Sequence, residues 1–449
     1  MRAPPSPLAC LPLVMALGLV GLLASSGGAD EIRMKDGELL HGAVETRTKG
    51  TLHVRVGDAL RKIRADDVAE IVEADVPERT FGLPQRWGQA RRKALSAGGG
   101  TTKSEAAVSR ALHWLASHQD EDGKLDADGF MRHDEHVRPC DGAGGGHHGE
   151  RVPCGYDGVT TAVALMAWLA SGSTPVSGPY ADNVRRALRW CRAAVDGSPG
   201  GAYGLWNYGY CTQAVADAYW MLGASEDRER LTRAVEKILA LQRDDGGWSY
   251  YLAIGDVPTT GVAASALGLC HRAGIEVPKR SMAATLKFLD ARVVAAKGRS
   301  EYHDGAERKG YTPTRANTAA ALTVRALYGA LARAPHLAKQ IGAIREKPVW
   351  KIEFKELKVN GKPTRVQIGN LYPYQWAYAT QALFERGGSA WSGWFGGLKK
   401  ALLAGQRGKG PCRGSWDPLG NYSDSAGRVY ITGLCALMLQ APYRYPRSR

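Results

Sequence analysis

Past its first thirty residues the sequence has no apolar run of membrane length, no block of five positive charges and no Gly-x-Ser-x-Gly nucleophile elbow. A spanning helix takes about 20 apolar residues, so nothing beyond the leader is expected to cross a bilayer. Glycine-rich stretches such as 142–146 lack the lysine and serine spacing of a phosphate loop, which removes the common nucleotide cradle. Lysine and arginine outnumber acids 59 to 44, for a net charge of +15 and a pI near 9.4. That balance suits anionic lipid, acidic polysaccharide or nucleic acid. The charges are scattered, however, and read as a solvated basic surface that can touch an anionic one. No nucleic-acid partner is expected.

What is present begins with a targeting segment. Arg2 is followed by an apolar stretch of 16 residues from Leu8 to Leu23, then by the small residues Gly27-Gly28-Ala29. The apolar core is short for an anchor and suits a cleaved leader, residues 1–29, so the mature chain is expected outside the cytoplasm, periplasmic or secreted. Cys10 leaves with the leader, and seven of the eight cysteines remain. Cys140 and Cys154 flank one glycine-rich loop and are the disulfide candidates. The same loop carries His147 and His148, near His133 and His136, so zinc on Cys140, His147, His148 and Cys154 stands as the alternative. Its spacing matches no compact finger, and no cofactor is called for. Cys191, Cys211, Cys270 and Cys435 lie in apolar helical stretches and read as buried thiols, while Cys412 is free or paired.

Residues 30–75 alternate in character and turn at Asp36-Gly37, Lys49-Gly50 and Gly57-Asp58, which predicts a small β module resembling an SH3-like mini-barrel. Residues 76–103 read as a linker with Pro77, Pro84, the basic Arg91-Arg92-Lys93 and Gly98-Gly99-Gly100. From Ser104 the pattern becomes helical and repeats. Val108, Ala111, Leu112 and Leu115 mark an amphipathic helix, and Ala162 to Ala170 follows as nine apolar residues in succession. A helix apolar on every side must be buried on every side. The couplet returns five times. Tyr180–Ala194 precedes Ala214–Leu222, Leu231–Ile238 precedes Val262–Cys270, and Met282–Val294 precedes Ala319–Leu331. His336–Ile344 then pairs with Gln375–Glu385, and Trp394–Ala404 with Val429–Leu439. An open solenoid would leave its terminal couplets with a bare face. The expected fold is therefore mainly α, an α/α toroid over 104–444 with an inner and an outer ring. Residues 349–367, with Asn360-Gly361, read as a basic β-hairpin inserted in the fifth couplet.

Specific residues recur at the couplet junctions. Arg233-Ala234-Val235-Glu236-Lys237-Ile238 leads to Gln242 and Gly246-Gly247-Trp248. Arg110-Ala111, Trp114-Leu115, Gln119 and Gly123 repeat it with Leu125 in the tryptophan position. Arg186-Ala187 with Trp190, and Gln406 with Gly414-Ser415-Trp416, are further copies. The pattern resembles the Gln-Trp repeat of squalene–hopene cyclases, and Ser104–Arg444 resembles bacterial prenyltransferase/squalene-oxidase-repeat proteins of an exported branch. Gly155–Thr160, Arg413–Pro418 and Gly427–Tyr430 carry the second likeness. The resemblance implies the toroid, with each glutamine amide bonding backbone near an indole, and leaves the reaction open.

The family's catalytic constellations are not matched. Squalene cyclases protonate an alkene with an Asp-x-Asp-Asp-Thr-Ala acid. The best alignment, Asp256-Val257-Pro258-Thr259-Thr260-Gly261, puts Pro258 and Thr259 where the later aspartates belong, and Asp256 then reads as a helix N-terminal carboxylate. Protein prenyltransferases hold zinc with an Asp-x-Cys pair, which does not occur. Complement-type thioester proteins carry Cys-Gly-Glu-Gln, whereas Cys154-Gly155-Tyr156-Asp157 ends in aspartate.

In a toroid the mouths of the inner helices share one depression, where pockets form. The residues expected there are Tyr156, Trp206, Tyr208, Tyr210, Thr259, Arg315, Asn317, Tyr374, Gln375, Trp416, Arg428 and Tyr430. They suit a hydrophobic, peptide or sugar ligand, and they serve equally as helix caps that seal the ring. The favoured expectation is a non-catalytic binding scaffold. The alternatives are an isoprenoid enzyme using Asp157, Asp217 or Asp417 as its acid, and a carbohydrate-active lyase or glycosidase.

Overall fold

Five short strands open the chain in this computed structural model, which describes residues 30–48, 50–56, 59–72, 82–134, 140–145, 155–200, 204–250, 253–305, 312–351, 353–359, 362–368, 371–420 and 423–447. The leader, Cys154, His136, His147 and His148 lie outside the described residues. The strands are β1 (Asp30–Met34), β2 (Leu39–Thr48), β3 (Thr51–Val56), β4 (Ala59–Arg64) and β5 (Val68–Val72). They form one antiparallel sheet in the order β4-β3-β2-β1-β5. Alternation along the strands sends Ile32, Leu40, Leu52, Val54 and Ile63 to one small core separate from that of the body.

The stretch read as a linker is not one throughout. Residues Pro84–Arg86 form a single 3₁₀ turn and α1 follows at Gly88–Ala97. Arg86 is fully buried: its Nη2 donates to Asp217 Oδ1 at 2.6 Å, and Nε and Nη2 donate to the Arg444 carbonyl at 3.0 and 2.9 Å. Trp87 Nε1 donates to Gly172 O at 2.9 Å. The segment is stitched to the helical body by groups that a sequence scan counts as polar.

The body then alternates two kinds of helix. The chain runs through α2 (Thr102–Ser117), α3 (Asp157–Ala170), α4 (Ala181–Asp196), α5 (Gly204–Leu222), α6 (Ser225–Leu239), α7 (Val257–Arg272) and α8 (Lys279–Ala291). A two-residue ladder, β6 (Val293–Val294) with β7 (Arg299–Ser300), precedes α9 (Arg315–Leu327) and α10 (Leu337–Ile344). The inserted hairpin is β8 (Glu353–Val359) against β9 (Lys362–Ile368), paired antiparallel. The chain ends on α11 (Pro373–Arg386), α12 (Gly388–Gly405), α13 (Ser423–Leu439) and α14 (Ala441–Arg444).

Helix α4 buries Val184, Ala187, Leu188, Cys191 and Val195, one stripe of a helix whose other face is wet. Helix α3 buries every residue from Gly158 to Ala170. The odd-numbered helices α3, α5, α7, α9, α11 and α13 pack each on the next, and α13 packs back on α3, which closes the inner ring. The even-numbered helices α2 to α12 cover it from outside. This is the α/α toroid, in which no couplet keeps an uncovered end.

The Gln-Trp copies clasp one outer helix to the next. Gln119 Nε2 donates to Gly123 O at 2.9 Å and to Asn183 O on α4 at 3.1 Å. Gln242 Nε2 donates to Gly246 O at 2.9 Å and to Thr285 Oγ1 on α8 at 3.1 Å. Gln406 Nε2 donates to Gly414 O and to Ala107 O on α2, both at 2.8 Å. The indoles of Trp248 and Trp416 donate to Ile238 O and Leu402 O at 2.8 Å. Each clasp needs its glycine: φ is +105°, +88° and +97° at Gly123, Gly246 and Gly414, and a Cβ there would lie 2.4 Å from a carbonyl oxygen of the next outer helix. Among the described residues no helix is long and apolar enough to cross a membrane.

Candidate functional site

All six inner helices present their N-terminal ends to one mouth of the ring. A cavity of about 320 Å³ opens there, lined by residues from every inner helix start and by Tyr250, Tyr302 and Thr314 from the loops that lead into two of them. Five of the twelve expected residues reach it: Tyr156, Trp206, Asn317, Tyr374 and Tyr430. Helical phase explains the selection. On α5, Trp206 and Tyr210 stand four residues apart and share the axial face. Tyr208, two residues from each, faces outward and its hydroxyl donates to Val195 O at 3.0 Å.

Six other expectations are corrected on the same ground. Thr259 is buried and donates to Asp256 Oδ2 at 3.0 Å, within the N-cap of α7. Arg315 pairs with Glu346. Gln375 is buried outside the cavity wall, and Trp416 belongs to its clasp. Arg428, also buried, donates to Ser415 Oγ at 3.0 Å and pairs with Asp141 and Asp417. Tyr210 lies one layer deeper, in the floor. Tyr250 and Tyr302 were missed: they stand seven and thirteen residues ahead of α7 and α9, whereas Tyr156 directly precedes α3.

The wall is an aromatic stack. The Trp206 ring lies 5.9 Å from Tyr250 at 10° and 6.1 Å from Tyr374. Below it, Tyr210 and Tyr430 share a hydrogen bond of 3.2 Å between their hydroxyls, and Tyr374 meets Tyr378 edge-on at 5.0 Å. Burial pushes the phenols of Tyr210, Tyr374, Tyr378 and Tyr430 above their ordinary range, so this floor is neutral. Asn317, Thr314 and Ser425 add neutral polar groups. Among the described residues that line the cavity there is no acid, cation, imidazole or thiol.

The three candidate acids are engaged elsewhere. Asp157 accepts from Lys124 Nζ at 3.1 Å and from Ala127 N at 3.0 Å, and burial nonetheless raises its carboxyl. Asp217 is buried against Arg86. Burial opposes the ionisation of Asp417, but hydrogen bonds and charge from Arg407 (2.8 Å) and Arg428 (2.7 Å) hold its carboxyl below the usual range. Asp256 caps α7 by accepting from Thr259 N at 2.8 Å, as its place in the sequence predicts, and burial raises its carboxyl.

The disulfide expectation is corrected in partner: Cys140 is bonded to Cys412, 272 residues away. Closing the ring brings the loop before α3 against the loop before α13, which sequence distance hides. With its sulfur so used, Cys140 is withdrawn from the zinc set. His133 instead bonds Asp120 at 2.6 Å. Cys191, Cys211, Cys270 and Cys435 are buried free thiols, as expected. A cluster of Asp126, Asp128 and Asp157 is offset by Lys124 and Arg132.

Comparison with models of known protein families gives no match, and comparison with curated protein sequences gives none. Solved structures do match. Two are inactive variants, each with two aspartates replaced, of an α-1,6-mannanase of glycoside hydrolase family 76 from Salegentibacter sp. HEL1_6. One, in complex with α-1,6-mannotriose, is 12% identical at a TM-score of 0.50 and covers 76% of this chain and 98% of its own. The other, with α-1,6-mannotetrose, is 13% identical at 0.50 and covers 77% and 99%. A type II terpene cyclase variant from Scytonema is 12% identical at 0.47, covering 78% and 99%. What the two mannanase structures share with this chain is the fold.

Proposed function

We propose that this chain is an exported binding protein that seats a neutral glycan segment in the upper cavity and carries out no chemistry on it. The observation that carries this reading is the aromatic wall, which has no ionised group among the described residues. A hydrolase needs two carboxylates some 5–10 Å apart across the bond it breaks, and a cyclase needs one unusually strong acid. Asp157, Asp217 and Asp417 are each committed to cations off the cavity. Flat indole and phenol faces with a few amides and hydroxyls suit the apolar face and the hydroxyl rim of a sugar ring. The manno-oligosaccharides held by the two Salegentibacter variants support a sugar over an isoprenoid or a peptide. The disulfide supports export, since such bonds persist in oxidising compartments. The repeated Gln–Gly clasps support descent from the squalene–hopene cyclase-like repeat.

Calorimetric titration with neutral manno-oligosaccharides tests the reading. Saturable binding without product is expected, and Trp206→Ala should weaken it about tenfold, the loss of roughly one stacked ring. New reducing ends, or turnover of squalene or a polyprenyl diphosphate, would overturn it.

A further inference from the structure

Beneath the tyrosine floor the ring axis holds a second cavity of about 80 Å³, toward the C-terminal ends of the inner helices. Its wall is mostly apolar, with Met166, Phe384, Leu434, Leu437 and Met438, and Arg444 of α14 stands in it beside Tyr445. Arg444 has no carboxylate partner among the described residues. Its guanidinium lies over the Tyr445 ring, 4.7 Å from the centroid, its Nη2 donates to the thioether of Met166 at 3.1 Å, and its Nε–H forms no hydrogen bond. The buried hydroxyl of Ser265 lines the same space and forms none. Asp217 of α5, nearby, is paired with Arg86 through Oδ1, while its Oδ2 forms no hydrogen bond. A half-buried guanidinium without an anion, in a cavity with a buried hydroxyl that has no partner, is a costly arrangement unless something fills it. The missing group must accept hydrogen bonds, carry negative charge and match a planar fork, which describes a carboxylate.

We propose that the lower cavity binds a short aliphatic carboxylate, its anion on Arg444 and its stem against Leu434, Leu437 and Met438. The volume is about half that of a cavity known to take benzene, which suits a guest of about two to four carbons. This site is independent of the glycan reading.

The test is titration of the full chain with carboxylate-labelled butyrate followed by NMR, with acetate, hexanoate and inorganic phosphate as competitors. Saturable butyrate binding is expected, displaced by acetate and not by hexanoate or phosphate. Arg444→Gln, which keeps the backbone carbonyl that Arg86 uses, should weaken it at least tenfold, and Ser265→Ala about threefold. Trp206→Ala should leave butyrate binding unchanged while glycan binding falls, so failure of one site is separable from failure of the other. Should Arg444→Gln not fold, Arg444→Lys keeps the charge but not the fork and is expected to bind severalfold more weakly. No saturable binding (a cavity holding water only, or Arg444 turned onto Asp217) would overturn the proposal, and so would equal displacement by phosphate.

Discussion

Two junctions between outer helices are built from the same parts but carry different reinforcement. Between α6 and α8, Gln242 bonds Gly246 and α8 and Trp248 bonds Ile238, and the receiving helix answers with the neutral hydroxyls of Ser281 and Thr285. Between α12 and α2 the same clasp is made by Gln406, Gly414 and Trp416. There Arg110 also donates to Gln406 Oε1 from Nε and Nη2, at 3.1 and 2.6 Å. The Cys140–Cys412 disulfide and the Arg428 pairs with Asp141 and Asp417 lie at the same seam. The first junction joins neighbours in sequence, which the chain keeps close. The second joins the last couplet to the first, and its own bonds hold it, together with the packing of α13 on α3 and α2. An arginine also serves the internal α2–α4 clasp, where Arg186 Nη2 donates to Gln119 Oε1 at 2.9 Å, so what sets the seam apart is the disulfide with the Arg428 pairs, added where chain continuity gives no help.

The largest expected effect is on the covalent part of that seam. A bond that closes a loop of this length restricts the unfolded chain strongly, and its loss should cost about 3–5 kcal/mol. Cys412→Ser, compared with wild type by urea unfolding under oxidising conditions, checks this. Hydrogen exchange should rise first at 140–145 and 412–416. A loss under about 1 kcal/mol would mean that the noncovalent clasp closes the ring alone.

Gly414→Ala and Gly246→Ala form a matched pair of intermediate size. Each adds a methyl 2.4 Å from a carbonyl oxygen, that of Arg110 or Ala284, at a residue with φ near +90°. Each should destabilise by about 2–3 kcal/mol through strain and displacement of the facing helix. Thermal melts that give equal losses would show the clasp to be one device used twice. A larger loss at Gly414 would show that the seam has less slack than the internal junction.

The ring was legible because its signal is periodic. Unbroken apolar residues in α3 against the stripe at Val184, Ala187, Leu188, Cys191 and Val195 in α4 separate inner from outer helices without tertiary information. The partner of Cys140 was not legible, because nearness in sequence favoured Cys154 while closure of the ring favoured Cys412. The cavity was half legible for a geometric reason. Tyr208 and Tyr210 are the same residue type two positions apart, and a rotation of about 200° puts one on the axis and the other under the outer helices. Arg86 was hidden by its type, since burial of an arginine depends on a distant partner such as Asp217.

The smallest expected effect concerns the charged part of the seam, and its sign follows from Asp417. Burial disfavours its ionised form, but the bonds from Arg407 and Arg428 outweigh that and hold the folded carboxyl below its ordinary value. An acid depressed in the folded state adds stability that is fully present above the unfolded value, about 3.9, and is lost as pH falls through the folded one. Asp417 is partly exposed, so solvent screening limits the contribution to about 1 kcal/mol or less. Urea midpoints for wild type and Asp417→Asn should therefore differ at pH 7 and converge as the pH drops below about 4. A difference that persists unchanged at low pH would mean that Asp417 supports the seam through packing, and that the charge on Arg428 is balanced without it.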